Sequence, residues 1–153
     1  MARAYPDNPL VGIGVVIIQG GRVLMCRRAK PPRKGGWSLP GGGQELGERM
    51  HETAIREARE ETGLEIEILG LVDVIDSLTY DDANRVEYHY ALIDFAARVT
   101  GGTLQAGDDA AEVRWVTPEE MRGLDTWETT IEVVEKAIGL FGDQTSSGRP
   151  RRG

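Results

Sequence analysis

The segment that most constrains the fold is residues 49–62, which contain neither proline nor glycine and are followed by Gly63. An uninterrupted run of this length is typical of a helix, and a glycine after it supplies the left-handed residue with which many helices end. At about 100° per residue, Glu57, Glu60 and Glu61 fall within an arc of roughly 100°. The sequence therefore predicts a helix with three carboxylates on one face.

This acidic face has two interpretations, a solvated surface and a metal site. Carboxylates this close repel each other and raise one another's pKa unless a cation is present. Clusters of oxygen ligands suit Mg²⁺ or Mn²⁺, which bind a few carboxylates and keep other positions for water and phosphate. Arg56 stands four residues before Glu60 and can compensate part of the charge within the helix. Solvated acidic faces are common, so the helix alone does not decide.

The residues before the helix favour the metal site. Residues 37–43 read Trp-Ser-Leu-Pro-Gly-Gly-Gly, which is a short apolar strand followed by a glycine loop. Glycines allow the backbone to come close to a ligand or a metal ion. An acidic helix directly after such a loop is therefore a candidate for binding a metal and its substrate.

The loop and the helix together resemble the Nudix box, whose pattern is G-x5-E-x7-R-E-U-x-E-E-x-G-U, with U a bulky aliphatic residue. The matching positions are Gly42, Glu48, Arg56, Glu57, Glu60, Glu61, Gly63 and Leu64. Ala58 occupies the first U position and is smaller than the pattern asks for. A match at this many fixed spacings is specific, whereas a glycine run by itself is a weak signal.

The resemblance implies an enzyme that hydrolyses a nucleoside diphosphate linked to a group X, by attack of water on phosphorus. It implies Mg²⁺ as the cofactor, with Mn²⁺ as a substitute, because metal ions neutralise the diphosphate and lower the pKa of the attacking water. The implied metal ligands are Glu57, Glu60 and Glu61, with the Gly41 carbonyl as a fourth.

The resemblance also implies roles around the metal. Glu48 and Arg56 are similar to the pair that orients the loop and the helix in this family. For the general base two choices stay open: one of the box glutamates, or Glu112 with its neighbours Asp108 and Asp109.

The order of elements along the chain predicts an α/β (α+β) fold. A strand hairpin turns at Gly20 and Gly21, the box helix follows, and a long hairpin, a short strand and a closing helix complete the chain. Thr117-Pro118-Glu119-Glu120 is a capping box with proline at the first helical position. This order resembles the Nudix fold, a mixed sheet sandwiched between helices. We expect one domain over residues 1–142 and a disordered tail over residues 143–153.

Substrate contacts are expected outside the box. Arg27 and Arg28 end the second strand, where alternation sends them to opposite faces, so one is expected to reach a phosphate while the other is solvated. Tyr80, near the turn of the long hairpin, is a candidate for stacking on a base. Arg33 and Lys34 lie in a basic loop, and a solvated loop is the ordinary alternative to a role in attracting an anionic substrate.

Charge and cysteine content limit the partners. The formal net charge of −7 argues against nonspecific binding to duplex nucleic acid, which needs a basic surface. Cys26 is the only cysteine, so no intramolecular disulfide forms, and the beginning of the chain lacks a signal-like apolar run. We expect a cytoplasmic protein with no membrane segment and a small nucleotide substrate, and we leave a homodimer open.

Three functions remain in view. ADP-ribose or a related nucleotide sugar ranks first as substrate, followed by a (deoxy)nucleoside triphosphate. The ADP-ribose branch of the family often carries a proline some way past the box, and this chain has none between Pro40 and Pro118. A nucleotide sensor without catalysis is the alternative of another class, but such a sensor usually loses box acids, and this chain retains them all.

Overall fold

The computed structural model of the protein describes residues 3–29 and 34–145. Its strands are β1 (Leu10–Gln19), β2 (Arg22–Arg28), β3 (Trp37–Ser38), β4 (Gly41–Gly43), β5 (Leu64–Tyr80), β6 (Val86–Gly102) and β7 (Ala110–Val116). Its helices are α1 (Met50–Thr62), α2 (Pro118–Met121) and α3 (Glu128–Phe141), and a 3-10 turn follows at Gly142–Gln144. None of the described helices is long and apolar enough to cross a membrane.

The strands form a mixed seven-stranded sheet. Its order is β3-β2-β1-β6-β5, with β4 paired to β1 and β7 paired to β2. Strand β1 runs parallel to β6 and antiparallel to β2 and β4. Because β1 is covered on both faces, its sequence is almost continuously apolar rather than alternating, which is typical of a central strand.

The sheet separates two apolar layers. Ile13, Val15 and Ile17 of β1 pack on the side of α1, whereas Val16 and Ile18 pack on the side of α2 and α3. Successive side chains of a strand point to opposite faces, so one strand supplies both cores. The predicted α+β fold, with a mixed sheet between helices, is confirmed.

Helix α1 lies close to the sheet. Ala54 and Ala58 are fully buried. Ala58 is the residue that departs from the bulky aliphatic pattern of the box, and its small side chain suits this close packing. The helix ends at Gly63, whose φ of 74° is left-handed and whose N–H donates to the Arg59 carbonyl. The helix predicted over residues 49–62 is therefore confirmed, with its first helical residue at Met50.

The hairpin of β5 and β6 is longer than the sequence suggests, with 17 residues in each strand. The register of this hairpin shifts between Ile68 and Gly70. A Cβ on Gly70 would lie 2.7 Å from the ring of Phe141. The glycine therefore leaves room for the end of α3 to pack on the sheet.

The capping box at the start of α2 is confirmed. The Glu120 N–H donates to Thr117 Oγ1 at 3.1 Å, and the Thr117 N–H donates to the Glu120 carboxylate at 3.1 Å. Beyond α3, the 3-10 turn extends into the predicted tail. Residues 146–153 and Arg33 lie outside the described residues, so disorder of the tail and the role of Arg33 stay predictions.

We expect Gly63→Ala to reduce the free energy of unfolding by about 2 kcal/mol, because a left-handed conformation strains a residue with a Cβ. The new Cβ would also lie 2.3 Å from the Thr103 carbonyl oxygen. Urea denaturation measures the change. Gly139→Ala is the matched control, since that exposed glycine of α3 has no atom within 4 Å of a new Cβ. The control should gain about 0.5 to 1 kcal/mol from helix propensity. Equal stability of the two variants would contradict the argument.

Candidate active site

The glycines of β4 lie directly against the acids of α1. The Gly41 N–H donates to Glu61 Oε2 at 3.0 Å. A Cβ on Gly42 would lie 2.4 Å from the Glu57 carboxylate. A side chain at position 42 would therefore displace Glu57, which explains on packing grounds why this position needs glycine.

Arg56 connects the helix to the loop before it. Its Nε donates to Glu48 Oε2 at 2.6 Å and its Nη1 to Glu57 Oε1 at 2.7 Å. Its Nη2 donates to the Gly43 carbonyl at 3.2 Å, and Glu60 Oε2 lies 3.3 Å from Nη1. One guanidinium group thus fixes the positions of the loop backbone and two box carboxylates, which agrees with the orienting role expected for Glu48 and Arg56.

Glu48 has a second anchor. Its carboxylate accepts from Thr53 Oγ1 at 2.7 Å and from the Glu45 N–H at 3.1 Å. Hydrogen bonds from Arg56 and then from Thr53 lower the pKa of Glu48 to about 2. This carboxylate is therefore ionised and held in place, and it serves the site by position.

The two acids nearest β4 are difficult to ionise. Burial raises the pKa of Glu61 to about 7, and the charges of Glu57 and Asp109 add to this, whereas the hydrogen bond from Gly41 opposes it. Burial also raises the pKa of Glu57, against the effect of Arg56. The Glu60 side chain is 58% exposed. Buried acids in this situation are stabilised in their charged form by a nearby cation.

This set of donors fits a hard divalent cation, because carboxylate oxygens are what Mg²⁺ and Mn²⁺ prefer. Within residues 3–29 and 34–145, no three acidic, histidine or cysteine side chains already converge as metal ligands. The reason is visible in the contacts, since Glu57 and Glu60 lean towards Arg56. The residues that would hold the ion are Glu57, Glu60 and Glu61. The role of the Gly41 carbonyl as a fourth metal ligand stays a prediction, because the contact seen for Gly41 is made by its N–H.

A cavity of about 380 Å³ adjoins these acids. Its wall contains Glu61, Gly41 and Gly42 from the box, Arg27, Arg28 and Asp109 beside them, the aromatic Trp37 and Trp127, and Ile75, Leu92 and Asp94 from the long hairpin. Aromatic and aliphatic side chains together with a few charged groups are typical of small-molecule sites of this size.

Both candidate arginines border the cavity, and the expectation that one of them is solvated stays a prediction. The pairing of β2 with β7 shifts register between Arg27 and Arg28, and this irregularity breaks the simple alternation of faces. Arg27 Nε lies 3.5 Å from Glu112 Oε1. The charge of Arg28 acts to lower the pKa of Glu61. Both arginines thus border the cavity that Glu61 also borders.

Two other candidates lie elsewhere. Tyr80 is 52% exposed at the end of β5 and is not among the described residues of the cavity wall. Glu112 is also not among them; its carboxylate accepts from Arg114 Nη2 at 2.8 Å. Asp109, its alternative as the base, does border the cavity. The roles given to Tyr80 and Glu112 stay predictions.

The aromatic wall was not found by the sequence reasoning. The Trp37 N–H donates to the Asp125 carbonyl at 2.7 Å, and Thr126 Oγ1 donates to the Trp37 carbonyl at 2.8 Å. These bonds tie the connection between α2 and α3 to β3 and thereby hold Trp127, the N-cap residue of α3, beside the cavity. The place of Trp37 in the short apolar strand before the glycine loop was the available signal.

Asp94 was also missed. It is a single acid in the apolar stretch of β6, and it is only 6% exposed. Burial, followed by repulsion from Asp73, raises its pKa to about 6. A Cβ on Gly14, its partner in β1, would lie 2.2 Å from Asp94 Oδ1. An isolated acid in a strand that is otherwise apolar was the available signal.

Several known proteins are similar to this chain. A family model described as the NUDIX domain matches residues 8–136. An ADP-ribose pyrophosphatase of Methanocaldococcus jannaschii is 37% identical over 108 residues, which are 71% of this chain and 62% of that protein. The chain thus spans less than two thirds of that relative's length.

Other relatives carry different names. An RNA pyrophosphohydrolase of Novosphingobium aromaticivorans is 32% identical over 134 residues, covering 78% of this chain and 83% of the relative. The nucleoside triphosphatase NudI of an Enterobacter species is 31% identical over 122 residues, covering 75% and 86%. A crystal structure of a NUDIX hydrolase from Nitrosomonas europaea superposes with a TM-score of 0.71 at 24% identity, over 95% of this chain and 78% of that one.

We expect Asp94→Asn to gain stability relative to the parent as the pH rises from about 4 to about 7. A carboxyl whose folded pKa is raised from 3.8 to about 6 binds its proton more tightly when folded. The parent therefore loses stability through this range, by about 2 to 3 kcal/mol, and the amide does not. Urea denaturation at several pH values measures the gap between the two proteins. A gap that does not change with pH would show that Asp94 has an ordinary pKa.

Proposed function

Because the chain belongs to the Nudix hydrolase family, we propose that it hydrolyses, with Mg²⁺, the diphosphate of a nucleoside diphosphate linked to a group X. The observation that carries this proposal is that Glu61, Arg27 and Arg28 border the same cavity. Carboxylates that suit a metal ion and guanidinium groups that suit phosphate oxygens meet there.

The residues divide the work as follows. Glu57, Glu60 and Glu61 would hold the metal ion, which when bound neutralises the diphosphate and lowers the pKa of the attacking water. Arg56 holds Glu57 in position and anchors the loop through Glu48. Rotation of the Glu57 side chain is thereby restricted, and phosphoryl transfer depends on positioning of this kind.

Arg27 and Arg28 are proposed to bind the phosphate oxygens of the substrate. Guanidinium groups bind phosphate in a bidentate manner and remain charged at all working pH values. Both border the same cavity as Glu61. A diphosphate next to the metal ligands would therefore meet positive charge from β2. Tyr80 stays a weaker candidate for a contact with the base.

We propose two substrate classes. ADP-ribose or a related nucleotide sugar is supported by the archaeal relative named as an ADP-ribose pyrophosphatase. A (deoxy)nucleoside triphosphate is supported by the relative named as a nucleoside triphosphatase and by the absence of proline between Pro40 and Pro118. The intact set of box acids favours an enzyme over a sensor.

The general base is proposed to be a box glutamate, Glu112 or a neighbour of Glu112 such as Asp109. Glu112→Gln and Asp109→Asn separate these choices through the dependence of kcat on pH. Loss of the acidic limb in one variant assigns the base to that residue. Retention of the limb in both variants leaves Asp108 and the box glutamates as candidates, and Asp108→Asn then separates these.

Four further points are also proposals: Mg²⁺ as the metal ion, Mn²⁺ as its substitute, a cytoplasmic location and a homodimer. Turnover after chelation and addition of each ion tests the first two. Light scattering of the purified protein tests the homodimer. The net charge of −7 continues to argue against nucleic acid as the substrate.

We expect Glu57→Gln and Glu61→Gln each to reduce Mg²⁺-dependent turnover on the order of 100-fold or more, because each removes a charged oxygen ligand. Product release from ADP-ribose, other nucleotide sugars, dinucleoside polyphosphates and nucleoside triphosphates measures the effect. Glu52→Gln is the matched control on the same helix; its carboxylate is paired with Arg49 at 3.6 Å and is 55% exposed. The control should keep parental turnover. Full activity of both site variants would remove these residues from the metal site, and no turnover of any compound by the parent would favour a sensor.

A further inference from the structure

Asp94 is a buried carboxylate in the cavity wall that the protein leaves without a partner. It is 6% exposed and borders the cavity. Among residues 3–29 and 34–145, no group donates a hydrogen bond to its carboxylate and no cation pairs with it. Buried acids are almost always paired, because an uncompensated charge is costly to bury. This carboxylate is therefore available to a ligand that supplies the missing donors.

The neighbouring strands and helix do not compensate Asp94. Directly opposite on β5 stands Asp73, another acid. Lys136 of α3 lies with its Nζ 3.4 Å from Asp73 Oδ2, so this cation is already engaged by Asp73. On the other side, β1 presents Gly14, which has no side chain to offer. The neighbouring residues of β1, β5 and α3 thus give the Asp94 carboxylate no partner.

The position is built to accept the carboxylate. A Cβ on Gly14 would lie 2.2 Å from Asp94 Oδ1 and 3.7 Å from Leu39 Cδ1. Any other residue at position 14 would push the carboxylate or its neighbours aside. The glycine therefore fixes where the two oxygens lie in the wall.

The surroundings suit a flat ring. Trp37, Trp127, Ile75, Leu92 and Val133 form apolar and aromatic parts of the same wall. Aromatic and aliphatic walls bind planar rings through stacking and burial of apolar area. The sugar and phosphates of a nucleotide are polar throughout, so among the parts of the substrate the base fits these walls best.

We propose that Asp94 selects the base of the substrate, and that this base presents two adjacent N–H donors, as guanine does with N1–H and its 2-amino group. The inference rests on the proposed function, since it assumes a nucleotide in the cavity. An ionised carboxylate only accepts hydrogen bonds, and its two oxygens match two parallel N–H donors. Guanine nucleotides would then rank above ADP-ribose within the substrate classes proposed above.

Other bases fit less well. Adenine presents the lone pair of N1 beside its 6-amino group, and this lone pair would face a carboxylate oxygen. Hypoxanthine presents N1–H alone, and xanthine presents N1–H beside the carbonyl oxygen at C2. With each of these three bases, a buried oxygen of Asp94 would lack a donor or would face another acceptor. A site built to hydrogen-bond its ligand binds such analogues much more weakly.

Equilibrium binding tests the inference separately from turnover. Calorimetry with GDP, ADP, IDP and XDP in Mg²⁺ should give the parent at least about a tenfold preference for GDP over each of the others. In Asp94→Asn, the side-chain amide replaces one acceptor by a donor. The variant should bind GDP at least about tenfold more weakly and should bind XDP and ADP more tightly than the parent does, because the amide can donate to the C2 carbonyl of XDP and to N1 of ADP.

Asp73→Asn is the matched control, because it removes the neighbouring charge and lies outside the cavity wall. It should keep the preference for GDP. Circular dichroism and thermal melting establish that both variants are folded. Equal binding of all four nucleotides by the parent would overturn the inference, as would a GDP preference that survives Asp94→Asn.

One further pair of ligands tests the ribose hydroxyls, which are also adjacent donors. The parent and Asp94→Asn should show the same ratio of GDP to 2′-deoxy-GDP affinity. If the substitution changes only this ratio, Asp94 binds the sugar and the inference is wrong. GDP-selective binding without turnover of any compound would overturn the proposed hydrolysis and leave the reading of the base intact.

Discussion

The ion network of Arg56 is the interaction on which the candidate site depends. One partly buried guanidinium group binds Glu48 of the loop, Glu57 of α1 and the Gly43 carbonyl of β4. Buried charges are tolerated only when they are paired and hydrogen-bonded, so the acids and the arginine require each other. This mutual requirement holds a strand, a loop and a helix in one arrangement and presents Glu61 at the edge of the cavity.

The sequence predicts this part of the molecule well because the relevant contacts are local. The spacing of Glu57, Glu60 and Glu61 defines one face of a helix, and Gly63 ends that helix in the left-handed conformation that was expected. The hairpin turn and the capping box are equally local, and both are present. The mixed sheet between helices also follows from the order of elements, because each amphipathic element must bury its apolar face.

The parts that sequence reasoning missed depend on pairing across the chain. Arg27 and Arg28 both border the cavity, and the register of β7 shifts beside them. Asp94 becomes a wall residue through its parallel pairing with β1, which no local pattern specifies. Tyr80 lies at an exposed end of the long hairpin, and its contact with a base stays a prediction. Spacing along a strand predicts to which face of the sheet a side chain points. It does not predict which other element covers that face.

The bond between Thr126 and Trp37 joins residues 89 positions apart. The box acids of α1 and the glycine strand lie within residues 41–61, whereas the cavity wall is complete only when the last helix has docked on the third strand. Long-range closure of this kind is slow relative to helix formation. The box acids thus come from a short stretch of the sequence, whereas the cavity wall is formed by residues far apart in the sequence. Substitutions near the start of α3 can therefore alter which ligand fits while the acidic helix keeps its geometry, which gives such a fold a route to new specificity without rebuilding its chemistry.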